Sequence, residues 1–361
     1  MQRSNDTSAQ VQLFGLPGEA PHERVVFATD HKTGLRAIIA IYSTALGPAF
    51  GGCRYWSYAH QREALTDALR LSQGMAYKNA LADLPFGGGK AVVLRDTSVV
   101  NRHELFAAFG RIVDSLRGMY ITAEDVGTTA EDMRAVQQQT NFVSGIPRES
   151  GAHGGNPSPY TAYGVYVGLA AAAEASMGRR TLAGVKVAVQ GLGSVGWQLC
   201  ERLYADGAHL IVFDIDPGRL DGARQTFNAH VVKPEEITRV KADVFAPCAL
   251  GGSITAPVAA ECQFKVIAGG ANNQLLSQEE GDELHKRGVF YVPDFLINAG
   301  GIISCVREYE GSGNEDKVLT EISKIRERVF ALHDRVQAAA TPPARVAIKW
   351  AEEKILRAKK Q

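Results

Sequence analysis

Apolar and polar positions follow two rhythms along this chain, and the change between them falls near residue 150. Residues 25–28 and 35–43 are short apolar β-type runs separated by a polar turn around 30–34. Over residues 64–75 the spacing of Leu65, Ala68, Leu69 and Leu71 is helical. Gly87, Gly88 and Gly89 read as a stop before a short strand at 91–94, and an amphipathic helix follows at 103–116. Thr128 with Glu131 three residues on predicts a capping box that opens a helix at 131–139. Glycine, proline and small polar residues at 149–159 mark a linker or hinge. Beyond it, strands at 185–190 and 209–214 flank a helix at 194–205, and β-like runs recur at 243–249, 265–268 and 289–292. Strand and helix in alternation predict a parallel sheet covered by helices on both faces. Residues 343–360 close the chain as one helix with Val346, Ile348, Trp350 and Ile355 on its apolar side, while the first 24 residues read as a loose polar arm.

Length and charge narrow the function classes. At roughly 150 residues per domain, 361 residues make one large or two ordinary domains. Lys plus Arg equals Asp plus Glu at 39 each, which argues against a broad nucleic-acid surface and against polybasic membrane attachment. The low-charge stretch at 165–173 is too short to span a bilayer, and the first ten residues lack an apolar signal core. Cys53, Cys200, Cys248, Cys262 and Cys305 are scattered and form no Cys-x-x-Cys pair. A disulfide framework or zinc ribbon is therefore not expected, and a reducing cytoplasm suits the chain. The nine histidines show no metal-ligand spacing, and no G-x-S-x-G elbow is present, so neither a metal site nor a serine hydrolase is expected.

The sequence VAVQGLGSVG at 187–196 sets Gly191, Gly193 and Gly196 in a G-x-G-x-x-G turn, with Ser194 and Val195 between the last two glycines. The first glycine permits a tight turn and the second lets backbone approach a pyrophosphate. The third lets strand and helix pack closely, and the helix N-terminus favours the phosphate charge. Asp214 closes the next predicted strand, where a carboxylate holds the adenosine ribose hydroxyls. An acid there repels a 2′-phosphate, so the expected cofactor is NAD rather than NADP.

Lys78 and Lys90 flank a glycine-rich turn, and Lys90 stands between three glycines and an apolar strand. Desolvation there would lower its pKa and make it a base near neutral pH; a solvated lysine at a strand start is the alternative. A phosphate-binding P-loop fails, because Ala91 occupies the Ser/Thr position. Asp125 lies just ahead of the capped helix, as a helix-terminal charge or as a carboxylate lining a cleft. Asn272, Asn273 and Asn298 each follow a predicted strand, where open α/β sheets bind ligands or where asparagine simply forms turns.

Eight segments together resemble the glutamate/leucine/phenylalanine/valine dehydrogenase family, in its leucine, valine, phenylalanine and tryptophan branch. They are GPAFGGCR (47–54), GMAYK (74–78), GGGK (87–90), TAED (122–125), the glycine turn (191–196), APCALGG (246–252), ANNQ (271–274) and NAGG (298–301). The resemblance implies an α/β fold of two domains separated by a cleft. A substrate-binding and oligomerisation domain spans 1–150 and is completed by a C-terminal helix at 341–361; a Rossmann dinucleotide-binding domain spans 155–337. It implies NAD-dependent, reversible oxidative deamination of an L-amino acid to a 2-oxo acid and ammonia, by a homo-oligomer that binds neither nucleic acid nor membrane. By the same resemblance Lys78 grips the substrate carboxylate with help from Asn273, Lys90 activates water, and Asp125 shuttles protons to and from the amine. Thr161 contacts the nicotinamide carboxamide and Asp214 the ribose, with Asn272 and Asn298 also on the cofactor side. Gly51, Phe50, Ala123, Ile302 and Cys305 map onto the substrate pocket.

This chemistry is coherent. Hydride leaves Cα only when the amine is neutral, so a proton acceptor is needed nearby; the iminium then needs a water nucleophile. Two adjacent ammonium groups repel, so Lys78 is expected to depress Lys90, and closure about 149–159 would exclude water. None of the pocket positions is charged, which disfavours glutamate. Leucine, valine and isoleucine are the expected substrates, with phenylalanine, tryptophan or an amino acid of a specialised biosynthetic route as alternatives. A silent NAD-binding sensor would be expected to lack Lys78, Lys90 or Asp125, and all three are present.

Overall fold

The computed structural model describes residues 22–96, 101–146, 154–249, 251–312 and 314–360. Most of the expected N-terminal arm and much of the expected hinge at 149–159 lie outside them. Two units emerge. The first takes in the described residues up to Ala76 together with Pro85–Ile146; the second takes in Tyr77–Leu84 and the described residues after Ile146.

In the first unit, β1 (Arg24–Asp30) and β2 (Leu35–Ser43) pair antiparallel. The Asp30 carboxylate accepts the Lys32 and Thr33 N–H groups and closes the turn between them. Next come β3 (Ala49–Phe50), β4 (Cys53–Trp56), α1 (Gln61–Leu81), β5 (Gly87–Leu94), α2 (Arg102–Ser115), β6 (Tyr120–Ile121) and α3 (Ala130–Gln137). The sheet order is β1-β2-β5-β3-β6, with β4 also paired to β5. All of β2 except Arg36 is buried, because helices cover both sheet faces. Ala64 and Ala68 of α1 meet Ile38, Ala40 and Val92 on one side; Leu105, Phe106 and Phe109 of α2 meet Ile39, Ile41 and Val93 on the other.

Two sequence expectations are corrected here. Gly87–Gly89 do not stop the chain; they are the first, buried part of β5. A Cβ on Gly87 would lie 1.9 Å from the Ser43 carbonyl oxygen, and one on Gly88 2.2 Å from the Ala76 nitrogen. The glycines are there because a strand and α1 run against neighbouring backbone, not because the chain turns. The capping box belongs to Thr129 and Asp132, one residue later than expected. The Thr128 hydroxyl is otherwise engaged: it accepts the Asp125 N–H at 2.8 Å and reaches the carbonyls of Asp125 and Cys53.

The second unit contains the last turn of α1 and then α4 (Ser158–Met177), β7 (Lys186–Gln190), α5 (Ser194–Ala205), β8 (His209–Phe213), α6 (Pro217–Phe227), β9 (His230–Val231), β10 (Val244–Pro247), α7 (Ala256–Glu261), β11 (Val266–Ile267), α8 (Gln278–Lys286), β12 (Phe290–Tyr291), α9 (Asp294–Ile297), α10 (Gly300–Tyr309), α11 (Glu315–Ser323), α12 (Ile325–Ala339) and α13 (Pro343–Ala358). Its strands are all parallel, in the order β12-β11-β10-β7-β8-β9. The connection reverses direction between β7 and β10, and such a switch point is where open α/β sheets take ligands. Helix α13 packs on α8, α12 and β12 of this same unit, whereas the sequence reading grouped it with the first domain. It also helps to fix the end of α1: Glu352 accepts the Tyr77 hydroxyl at 2.9 Å, and Lys354 pairs with Asp83. Arg328 of α12 donates to the Ala82 carbonyl at 2.8 Å.

Candidate active site

The first unit gathers Lys90, Asp125, Gly51, Phe50 and Ala123. Lys90 sits in the middle of β5, opposite Ala40 of β2, and is 4% exposed. Asp125 lies in the loop after β6 that the Thr128 hydroxyl closes. The two meet at 2.9 Å between Lys90 Nζ and Asp125 Oδ2. Arg54, at the second position of β4, donates from Nε to the same oxygen at 3.2 Å and from Nη1 to Asp67 at 2.7 Å. Asp67 also accepts the Tyr58 hydroxyl at 2.6 Å. Burial pushes the Asp125 carboxyl up, but the charges of Lys90 and Arg54 outweigh it and hold the group below the ordinary carboxylate range. Asp125 is therefore an ionised proton acceptor in direct contact with Lys90 Nζ, an arrangement that can pass a proton directly.

Sequence reading missed Arg54, because its partners lie far along the chain and a lone arginine carries no spacing signal. It also missed Gly52, where a Cβ would lie 2.8 Å from Asp125 Cβ. Gly51 is as constrained: its carbonyl accepts the Tyr120 hydroxyl at 2.6 Å, and a Cβ there would lie 1.8 Å from the Gly89 oxygen. Phe50, expected to line the pocket, has no accessible surface and packs edge-on against Phe86 at 5.3 Å. Ala123 is buried beside the loop of Asp125.

The second unit holds the remaining expected residues. In the glycine turn, Gly191 has φ +98°, and a Cβ on Gly196 would lie 1.9 Å from the Gly191 oxygen. Gly193 is different: the nearest atom to a Cβ there is Arg219 Nη1, at 3.9 Å. Space is thus left open at the N-terminus of α5, where no side chain caps the helix. Ser194 and Val195 form that first turn. Asp214 is buried, and its oxygens accept the N–H groups of Leu192 at 2.6 Å and Asp216 at 2.8 Å. The carboxylate expected to meet the ribose therefore also braces the glycine turn. Arg219, not anticipated from sequence, lies 3.8 Å from Asp214 and 3.5 Å from Asp216.

Asn298 ends α9 rather than a strand. Its Nδ2 donates to Asn272 Oδ1 at 2.8 Å and to the Gly270 carbonyl at 3.2 Å. Its Oδ1 is buried without a partner among the described residues. A buried acceptor left unpaired is costly, and a dinucleotide amide or hydroxyl would satisfy it. The open Gly193 and this orphan oxygen fit a bound nicotinamide dinucleotide. Lys78 reaches Asn272 Oδ1 at 3.4 Å. Asn273 is exposed, with φ +51°. Thr161, in the first turn of α4, donates to the Pro157 carbonyl at 3.1 Å, and a Cβ on Gly301 would lie 2.5 Å from its hydroxyl. Ile302 and Cys305 stand one turn apart on α10. Among the described residues no group of three or more His, Cys, Asp or Glu could hold a metal ion, and no helix is long and apolar enough to cross a membrane.

Residues 22–142 match the family model described as Glu/Leu/Phe/Val dehydrogenase, dimerisation domain, and residues 215–361 match Glutamate/Leucine/Phenylalanine/Valine dehydrogenase. The chain is similar to leucine dehydrogenase of Bacillus subtilis (strain 168), 44% identical over 347 residues, covering 96% of this chain and 95% of that one. Phenylalanine dehydrogenase of Bacillus thermotolerans is 42% identical over 339 residues, covering 92% of this chain and 88% of its own. The crystal structure of L-tryptophan dehydrogenase from Nostoc punctiforme superposes with a TM-score of 0.81 at 40% identity, covering 94% of this chain and 97% of that one.

Proposed function

The chain belongs to the glutamate/leucine/phenylalanine/valine dehydrogenase family, and on that premise we propose that it carries out NAD-dependent, reversible oxidative deamination of an apolar L-amino acid, with leucine, valine and isoleucine preferred. It is an amino-acid dehydrogenase of the leucine, phenylalanine and tryptophan branch and uses a nicotinamide dinucleotide.

The observation that carries the mechanism is the buried Lys90–Asp125 contact at 2.9 Å, with Arg54 on the same carboxylate oxygen. Lys78 and Asn273 hold the substrate carboxylate. Asp125 accepts a proton from the substrate ammonium and leaves a neutral amine. The dinucleotide, held by the glycine turn, Asp214, Thr161, Asn272 and Asn298, supplies the hydride acceptor when bound. Lys90, as a neutral amine, takes a proton from water, whose oxygen adds to the iminium carbon. Asp125 returns its proton to the nitrogen of the resulting carbinolamine. As the C–N bond breaks and ammonia leaves, the carbinolamine O–H proton passes to the freed Asp125 carboxylate and the C=O of the 2-oxo acid forms.

Ala123, Ile302 and Cys305 offer no charge to a glutamate side chain, which supports an apolar substrate. A second reading, preference for phenylalanine or tryptophan, is supported by the named relatives at 40–42% identity. Asp214 supports NAD over NADP. A homo-oligomer is supported by the dimerisation-domain match and by β1, a sheet edge that leaves Phe27 62% exposed. Five free thiols suit a cytoplasmic location.

The test is reduced-cofactor formation at alkaline pH with each L-amino acid, using NAD and NADP in parallel. Turnover with leucine, valine and isoleucine on NAD is expected. Strongest turnover with phenylalanine or tryptophan would replace the substrate assignment, and equal rates with NADP would remove the role given to Asp214.

A further inference from the structure

Asp294 opens α9 and has no part in the mechanism above. Its Oδ2 accepts the backbone N–H of Asn273 at 2.7 Å, although the two residues are 21 positions apart. The Tyr291 hydroxyl lies 3.4 Å from its Oδ1. The carboxyl also faces the N–H groups of Asp294 and Phe295 at the start of α9, and it feels the charge of Lys78. A simple helix cap would be satisfied within its own first turn. This one reaches out to another loop and to the end of α1.

The loop it reaches is conformationally demanding. Asn273 has φ +51°, a left-handed conformation uncommon among residues with a side chain and most accessible to asparagine, and two bonds fix it there. The N–H goes to Asp294, and the carbonyl accepts the Gly252 N–H at 2.8 Å. Next to Asn273, the Asn272 side chain meets Lys78 at 3.4 Å. One carboxylate thus anchors the peptide that carries Asn273 and stands near the ammonium of Lys78.

We propose that Asp294 is a positioning residue for substrate-carboxylate binding: it holds Asn273 in its left-handed conformation and orients the Lys78 ammonium for the incoming carboxylate. This rests on the reading of Lys78 and Asn273 as the carboxylate-binding pair. Burial raises the Asp294 carboxyl above the ordinary range, against the pull of the Asn273 N–H and Lys78, so the group has been placed at a cost that its contacts must offset. Asp294 transfers no proton and touches no reacting atom. Its loss should appear in binding of both amino acid and 2-oxo acid, and much less in the chemical step.

The experiment is steady-state kinetics of Asp294→Ala and Asp294→Asn beside the wild-type enzyme, with L-leucine and its 2-oxo acid as probes. NADH affinity by fluorescence titration and the thermal midpoint are measured on the same samples. Asp294→Ala should raise both KM values about tenfold or more, with kcat changed only a few-fold and NADH affinity within about twofold. Asp294→Asn keeps an acceptor for the Asn273 N–H but loses the charge, so its KM should fall between the two. Unchanged KM in a folded variant overturns the proposal, as does an equal loss of kcat and NADH affinity. If Asp294→Ala does not fold, Asp294→Asn decides by the same criterion. Absence of turnover in the wild-type enzyme would overturn the functional reading and this proposal together, whereas wild-type turnover with unchanged variants overturns only the role of Asp294.

Discussion

The charged cluster of the first unit and the dinucleotide turn of the second are both built on glycine, yet they are finished in opposite ways. Around Lys90 the glycines let backbone and side chains close in. Gly52 admits Asp125, the Gly87–Gly89 run lies against its neighbours, and Lys90, Asp125, Arg54 and Asp67 pair with one another. Around Gly193 the glycine leaves room, and the Asn298 oxygen lacks a partner among the described residues. A proton-transfer centre works when its charges are already arranged, since no reorganisation is then needed during reaction. A cofactor site works when part of its bonding is left for the ligand to complete.

The sharpest way to break this comparison is Lys90→Ala. It should lower kcat roughly a thousandfold, the middle of the range for a positioned acid–base group, while NADH affinity in a fluorescence titration stays within about twofold. Parallel loss of NADH binding would show that the two regions are not separable. Next is Arg54→Met, which removes one of two cations from Asp125. The sign follows from the charges: Arg54 lowers the Asp125 pKa, so its removal raises it and the carboxylate protonates at higher pH. The acid limb of the kcat/KM profile should move to higher pH, with roughly a ten- to hundredfold loss at neutral pH. An unmoved limb would mean that Asp125 does not govern that limb.

Glycine itself supplies the third test. Gly193→Ala has space and should leave the thermal midpoint unchanged while weakening NADH binding about tenfold. Gly196→Ala would place Cβ against the Gly191 oxygen and should lower the thermal midpoint instead. The same response from both would erase the distinction between room left for ligand and room used for packing. The smallest effect is expected from Arg219→Gln. Without that cation beside Asp214, discrimination against NADP should rise by about a few-fold, as expected for a pair whose arginine is half exposed. A fall in discrimination would instead make Arg219 a repulsive element toward NADP.

Some elements are legible in the amino-acid pattern itself. Residues 35–43 and 194–205 are observed with the expected bounds, because β2 is a long apolar run and α5 opens directly from a glycine turn. Helix α4 has no such signature. Ala162, Val165, Leu169 and Ala171–Ala173 are all buried, and the helix contacts α5, α10 and α12, so it shows no amphipathic stripe. Gly87–Gly89 mislead for a related reason. A glycine required by close approach looks the same in sequence as one required by a turn, and only the neighbouring Ser43 and Ala76 backbone distinguishes them.

The sequence alone determined what depends on local stereochemistry and on residue identity: the alternation that makes a parallel sheet, the G-x-G-x-x-G turn at 191–196, and the lysine, aspartate and asparagine set from which a deaminating site could be assembled. Tertiary structure decided which of those groups touch. Strand pairing places Ala91 beside Cys53, and it brings Lys90 within 2.9 Å of Asp125 and Arg54 within 3.2 Å of the same oxygen. It left Asn298 with an unfilled acceptor and set Asp294 under Asn273. Contacts between residues tens of positions apart depend on strand register and helix packing, which no local pattern encodes, so the pairing of these charges could be read only once the chain had folded.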